Sequence, residues 1–276
     1  MILVCLTCVL PFVHLLALSF SSSTAVDAGK VTFWPVDFTT QSYAFAMENG
    51  KFFKAFWVSV KKVVLGVGIN MVMMVLTAYP LSKGSKVMAR NIYMAYFVIT
   101  MLIGGGMIPT YLVVSKLKLL DTIWALVLPS ALPVYNTIIL MNFMRGMPEE
   151  IEEAALIDGA SFFQCLIRVT LPLLKPGLAT VCLFCTVGHW NAWFDGIIYM
   201  NNPVHYPLQS YMRTLLTSFE DIMRSVGNDF AELQKVMNIR TGRSAQLFMG
   251  ALPIMLVYPF LQKYFTKGLV LGSVKG

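Results

Sequence analysis

Charge is scarce in this 276-residue sequence. Asp, Glu, Lys and Arg make up 13% of it against 57% hydrophobic residues, and the mean hydropathy is +0.68. That balance excludes an ordinary soluble globular domain and makes lipid the solvent for most of the chain. The sequence also lacks a Gly-rich phosphate loop, a metalloprotease helix and a nucleophile elbow, so ATP hydrolysis is not expected of the chain itself. Histidine is limited to His14, His189 and His205, which form no constellation, and neither His14 nor His189 has a sequence-local carboxylate that suggests a proton relay. They read as packed or interfacial side chains. Cysteine is sparse but twice spaced as CxxC, at Cys5/Cys8 and Cys182/Cys185, a spacing that raises zinc or redox chemistry in a soluble protein. Both pairs lie inside apolar runs without His or carboxylate partners, which favours small buried hydrophobes and no metal site. The net charge of +7 is scattered over loops rather than gathered on one face, arguing for basic membrane loops and against nucleic acid. There is no internal repeat.

Long apolar runs are what the sequence has instead. Six are long enough to cross about 30 Å of hydrocarbon at about 1.5 Å per residue, near 1–20, 57–81, 92–115, 121–144, 177–200 and 245–265. The second is the clearest: Val63 to Ser82 holds no ionisable group except the phenol of Tyr79, and Lys61 and Lys62 are placed to snorkel at its mouth. The first run ends in Ser21-Ser22-Ser23-Thr24-Ala25 and admits a secretory-signal reading. With no Lys or Arg before Lys30, that is the weaker alternative.

Between the fourth and fifth runs lies a polar interruption. Pro148 suits a first helical position, and Glu149, Glu150, Glu152 and Glu153 load the positive end of that helix. Gly159 is placed to terminate it. Ser161 with Gln164 restarts a second helix as a capping box, which Leu171-Pro172 is expected to end. Three- and four-residue spacing puts Ile151, Ala155 and Asp158 near one face, with Ala154 adjacent. The small residues permit close approach by a partner. The bland alternative is an acidic amphipathic linker.

Other segments invite functional readings. Gly104-Gly105-Gly106 followed by Pro109 should break or kink the third span, as a hinge or cavity wall, or serve close helix packing. In the fifth span Trp190 and Trp193 are three apart and Asn191 and Asp195 four apart. An ionised Asp195 near the bilayer centre costs about 2.5–3.5 kcal/mol and turns toward protein or a wet cavity. Trp190, Asn191, Trp193 and Asp195, with Tyr135 and Asn136, form a candidate sugar-lining set of aromatic faces and hydrogen-bonding groups. An aromatic belt and a helix-tying Asn191 are the competing reading. Loop 21–56 carries Phe33, Trp34-Pro35, Phe38, Tyr43 and Phe45 and should be ordered. Loop 201–244 opens with the turn signal Asn201-Asn202-Pro203, and a short amphipathic helix is predicted over Leu208 to Phe219.

Residues 152–176, EEAALIDGASFFQCLIRVTLPLLKP, resemble the EAA loop of permease subunits in binding-protein-dependent ABC importers. The resemblance continues through Gly105 to Tyr111, Gly188 to Phe194, Tyr206-Pro207-Leu208-Gln209 and Lys267 to Gly276, and points to the carbohydrate branch typified by the smaller maltose permease subunit. It implies an all-α integral membrane protein of the type I importer permease fold, with six transmembrane helices and a cytoplasmic EAA helix-turn-helix. The implied organisation is a first helix and extracytoplasmic loop over 1–56, a permease domain over 57–268 with its EAA loop at 145–176, and a cytoplasmic tail over 269–276. The implied location is the bacterial cytoplasmic membrane, with the EAA loop and C-terminus inside.

Members of the family generally start with a basic cytoplasmic segment, so the resemblance leads one to expect a chain that starts late or was clipped. Implied partners are a second permease, two ATP-binding subunits, an extracytoplasmic solute-binding protein and a saccharide. ATP and magnesium are expected on the ATPase, with no cofactor on this chain. Coupling to the ATPase is expected through Glu153, Ala154, Ala155, Asp158, Gly159, Leu171 and Pro172. The EAA loop is silent about cargo, so an ABC permease for another solute stands as an alternative. An ion-coupled secondary transporter is a more distant one, lacking a coupling-ion site or twelve-span repeat in this sequence.

Overall fold

The computed structural model describes residues 2–48, 50–84, 87–215, 241–253 and 255–256. Among these every regular element is helical: α1 Ile2–Ser19, α2 Ser23–Asp27, α3 Gln41–Glu48, α4 Lys51–Ser82, α5 Arg90–Leu102, α6 Met107–Lys116, α7 Ile123–Val127, α8 Val134–Arg145, α9 Glu149–Ile157, α10 Phe162–Cys165, α11 Leu171–Leu173, α12 Lys175–Asn191 and α13 Phe194–Tyr199. Residues 208–215 and 241–253 are also helical. The expected helix over Leu208 to Phe219 is present as far as 215, and its remainder lies outside the described residues, as do the second half of the sixth span and the tail.

The break expected at Gly104 to Gly106 is present, and elsewhere the apolar runs are less continuous than the sequence reading had them. Among the described residues α4 alone is an unbroken helix long and apolar enough to cross a membrane. Three further apolar stretches are bent helix pairs: α5 with α6 at 108°, Ile123–Ser130 with α8 at 51°, and Phe162–Leu173 with α12 at 81°. Proline and glycine explain two of these breaks. Gly104 to Gly106 interrupt the first, and Pro133 caps α8 after a single 3-10 turn, Leu128–Ser130, that contains Pro129. The fifth span is interrupted as well, because α12 stops at Asn191 and α13 begins at Phe194.

The chain forms two compact units, residues 1–60 with 192–255, and 61–191 with 256–276. In the first, Ala17, Ala25, Val26 and Val31 form a buried apolar cluster. Loop 21–56 is ordered, as its aromatics suggested. The Ser21 hydroxyl donates to the Ala17 carbonyl at 2.7 Å and accepts from the Val36 amide at 3.0 Å, while Phe20 stacks on Phe38 with centroids 5.3 Å apart. The core of the second unit gathers Met74, Ala78, Tyr79 and Leu81 from α4, Leu140, Met141 and Met144 from α8, Leu166, Leu174, and Val181 and Cys185 from α12. Lys61 is exposed, but Lys62 is fully buried rather than snorkelling. Because α4 starts at Lys51, Lys62 lies about three turns inside the helix.

Candidate functional site

The polar interruption folds into two short helices joined by a turn. Pro148 is the N-cap of α9 rather than its first residue, one position earlier than expected, and Glu149, Glu150 and Glu152 occupy the first turn, where the helix dipole favours their charge. The C-terminal end closes through Gly159, whose φ of +86° is in the left-handed region. The Gly159 amide donates to Leu156 O and the Ala160 amide to Ala155 O, each at 3.0 Å. That crossed pair is a Schellman motif, and it satisfies carbonyls the helix end would otherwise leave orphaned. Ser161 then caps α10, its hydroxyl accepting from Gln164 N at 3.3 Å while Gln164 Oε1 accepts from Ser161 N at 2.8 Å. Both bonds of the predicted capping box are present.

Leu171-Pro172 does not end the second helix. Leu166–Thr170 form a π-helical turn in which the Leu171 amide reaches Leu166 O, and α11 carries Pro172 in its first positions. The widened turn accommodates the donor Pro172 lacks, so the break falls later, at Leu174. Pro176 then sits in the first turn of α12, where its missing N–H costs nothing.

The α9–α10 unit is fixed to the end of α4 by a polar bracket on Glu152. Tyr79 Oη donates to Glu152 Oε1 at 2.7 Å and approaches the Phe162 carbonyl at 3.2 Å, while Lys83 Nζ forms an ion pair with Glu152 Oε2 and lies 4.5 Å from the Tyr79 ring centroid. The Glu152 carboxylate therefore ties α9 to the second span through charge-assisted bonds, and the Tyr79 hydroxyl reaches α10 at the Phe162 carbonyl. A cavity of about 480 Å³ lies beneath, lined by Leu76 and Tyr79 of α4, Met144 of α8, Ile151 and Leu156 of α9, and Phe163 of α10. Ala154, Asp158 and Gly159 are exposed, as is Glu153, which also lines the cavity, and Ile157 is 85% exposed; Ala155 and Leu171 are half-buried and Pro172 is exposed. A large apolar side chain at the apex of an acidic turn is what a protein groove can bury.

Gly104, Gly105 and Gly106 separate α5 from α6, and Pro109 falls in the first turn of α6. Among the described residues no atom lies within 4 Å of where a Cβ would stand on any of the three, so close packing against them finds no neighbour.

The candidate sugar-lining residues divide. In the 61–191 unit Trp190 is buried and Asn191 exposed, while on α8 Tyr135 is exposed and Asn136 is half-buried, its amide donating to Cys185 Sγ at 3.4 Å. In the other unit Trp193 is 41% exposed and Asp195 half-buried, with Asp195 Oδ1 accepting from the Gly196 amide at 2.9 Å. Helical spacing does not relate the two groups, because the helix stops at Asn191.

One polar cluster was missed in the sequence. Asn70, buried in α4, donates from Nδ2 to the carbonyls of Ser130 at 2.6 Å and Ala131 at 2.9 Å. Its Oδ1 lies 2.7 Å from His189 Nε2, so with both amide hydrogens spent the imidazole is the donor. Asn70 thus serves backbone groups at the break between the 3-10 turn and α8, which lipid could not satisfy. A Cβ on Gly66 would stand 2.5 Å from His189 Nε2, so glycine is what lets the imidazole approach α4. The available signal was Asn70 itself, the single carboxamide in the run from Val63 to Ser82.

Residues 46–270 match the family model of the binding-protein-dependent transport system inner membrane component. The chain belongs to this family. As a permease component it is a transport protein embedded in the membrane. It is 37% identical over 274 residues to the polygalacturonan/rhamnogalacturonan transport system permease protein YtcP of Bacillus subtilis, covering 98% of this chain and 94% of that one. Protein LplC of the same organism is 39% identical over 97% of this chain and 90% of its own length. The arabinooligosaccharides transport system permease protein AraQ of Halalkalibacterium halodurans is 27% identical over 97% and 91%. A solved chain from a bacterial ABC transporter involved in the import of the acidic polysaccharide alginate superposes with a TM-score of 0.85 at 28% identity, covering 95% of this permease and 92% of that chain.

Proposed function

We propose that this permease is one half of the translocation pore of an ATP-driven, binding-protein-dependent importer of oligosaccharides, and that the α9–α10 turn transmits the work of ATP hydrolysis to the pore. The carrying observation is the form of that turn. It is closed by a Schellman motif at Gly159, restarted by the Ser161 capping box and bracketed to α4 through Glu152, and it holds Ile157 out at the apex. A rigid, exposed projection anchored on a span can pass displacement inward, whereas a loose linker would absorb it. Saccharide as cargo rests on the relatives, whose names specify polygalacturonan, rhamnogalacturonan and arabinooligosaccharides, and on the alginate importer.

In this reading the turn and the C-terminus face the cytoplasm. A second permease completes the pore, two ATP-binding subunits carry ATP and magnesium, and a solute-binding protein delivers sugar from outside. Glu153, Ala154, Ala155, Asp158 and Gly159 meet the ATPase, while Leu171 and Pro172 shape the return of the chain to the membrane. ATP and the loaded binding protein both favour the outward-facing state, so each strengthens binding of the other. Purification of the permease from its native membrane through a tag is expected to recover a second permease and an ATPase whose activity rises when saccharide-loaded binding protein is added. Recovery of the permease alone, with no ATPase, would refute the assignment.

A further inference from the structure

The π-helical turn after α10 strands a hydroxyl. Thr110, Thr137, Thr180 and Thr186 each donate to the carbonyl four residues back, at 2.8–3.0 Å, the usual way a threonine inside a helix satisfies its side chain. For Thr170 that carbonyl is Leu166 O, which lies in the widened turn and accepts the Leu171 amide. Thr170 is 2% exposed, and among the described residues its Oγ1 has no hydrogen-bond partner. The same residue lines the cavity of about 480 Å³ beneath the α9–α10 turn, whose walls otherwise include Leu76, Met144, Leu156, Phe163 and Leu166. An apolar chamber with one unpaired polar atom in its wall has the make-up of a small-ligand site, and its size falls in the range of about 300–1,000 Å³ such sites occupy. All of these residues belong to the 61–191 unit.

We infer that this cavity binds a small uncharged amphiphile, an apolar body ending in one hydroxyl or carbonyl group that pairs with Thr170. The apolar body leaves water for the leucine and phenylalanine walls, and its polar end supplies the partner that Thr170 Oγ1 lacks. A hydroxyl both donates and accepts, so either kind of end group suits it. A charged end does not. Carried to Thr170, a carboxylate or ammonium would lose its hydration for one neutral hydrogen bond. The ionisable groups around the cavity are Glu149, Glu152 and Glu153 against Lys83 and Arg145, with Lys83 already paired to Glu152, so an anion gains no net attraction there. The site belongs to this chain alone and does not depend on what the permease carries.

The test is photolabelling of the permease in its native membranes with a diazirine-bearing octanol, the labelled peptides being identified by mass. Label is expected on the peptides that carry Leu156 and residues 162–170, displaced by excess octanol but not by octane or octanoate. Thr170→Val keeps the shape of the side chain and removes its hydroxyl. It should raise the octanol concentration needed for half-displacement on the order of fivefold, the worth of one neutral hydrogen bond, while Thr170→Ser stays near wild type. Label on α5, which buries none of its residues, with none on the cavity peptides would overturn the inference. So would displacement by octane or octanoate as effective as by octanol, or a Val variant that behaves as wild type. If the Val variant fails to reach the membrane, the three-competitor series on the unaltered chain decides alone.

Discussion

Replacing Gly159 separates the conformation of the turn from the space around it. Its φ of +86° is sterically disfavoured for any residue with a Cβ, yet nothing lies within 4 Å of where that Cβ would stand. Gly159→Ala therefore adds no clash within the chain, and its cost is the backbone term alone, about 1–2 kcal/mol. At about 1.4 kcal/mol per factor of ten, that lowers the population of the closed turn by roughly 5- to 30-fold relative to its open forms. Gly159→Asn should cost less, because asparagine visits this region more readily, and Gly159→Val more, because its branched Cβ does not. The assay is sugar molecules imported per ATP hydrolysed in reconstituted vesicles. The account predicts coupling that falls in the order Gly, Asn, Ala, Val, with membrane insertion unaffected. Coupling equal to wild type in all three variants would exclude φ at Gly159 as its determinant, and a deficit in Asn as large as in Val would show that side-chain bulk at a partner surface matters rather than φ.

Other perturbations probe the supports of that turn and of the pore. Tyr79→Phe and Lys83→Met each remove one hold on Glu152, where the Lys83 and Glu152 side chains are 22% and 16% exposed. A double-mutant cycle followed by thermal unfolding in detergent should give a coupling of about 1 kcal/mol, and strict additivity would contradict the shared bracket. Asn70→Leu leaves the Ser130 and Ala131 carbonyls and the His189 ring without their amide, and should destabilise the protein by about 2–3 kcal/mol or more by the same assay. A melting temperature unchanged from wild type would show that the break is satisfied otherwise. Trp193→Ala should depress transport more than assembly, read as uptake rate against subunit recovery, and loss of assembly would make the indole a packing residue.

Local signals with one physical cause were legible in the sequence. A stop such as Gly159 or a cap such as Ser161 with Gln164 depends on a few neighbouring residues, and both occur where the pattern placed them. Proline was less informative, because its consequence depends on what the surrounding helix can absorb. Pro148 stands one position outside α9, and Pro172 is carried through a π-helical turn instead of ending the helix. Glycine announced the break at Gly104 to Gly106, but hydropathy did not locate the others, since a window average cannot distinguish a straight span from halves separated between Ser130 and Val134 or between Asn191 and Phe194. For that reason the pairing of Trp190 with Trp193 by helical spacing failed. Least legible were contacts between residues distant in sequence. Asn70 meets His189 across 119 positions and Tyr79 meets Glu152 across 73, and no local pattern encodes either.

If the α9–α10 turn seats in an ATP-binding partner, Ile157 at its apex meets that partner first. A cysteine at this 85% exposed apex can be cross-linked in native membranes and the adduct identified by mass. The account predicts that Ile157→Cys captures an ATP-binding subunit with a yield that changes when ATP is added, whereas the same substitution at Ile99 in α5 does not. Equal capture from both positions, or capture from Ile157→Cys of no nucleotide-binding protein at all, would contradict it.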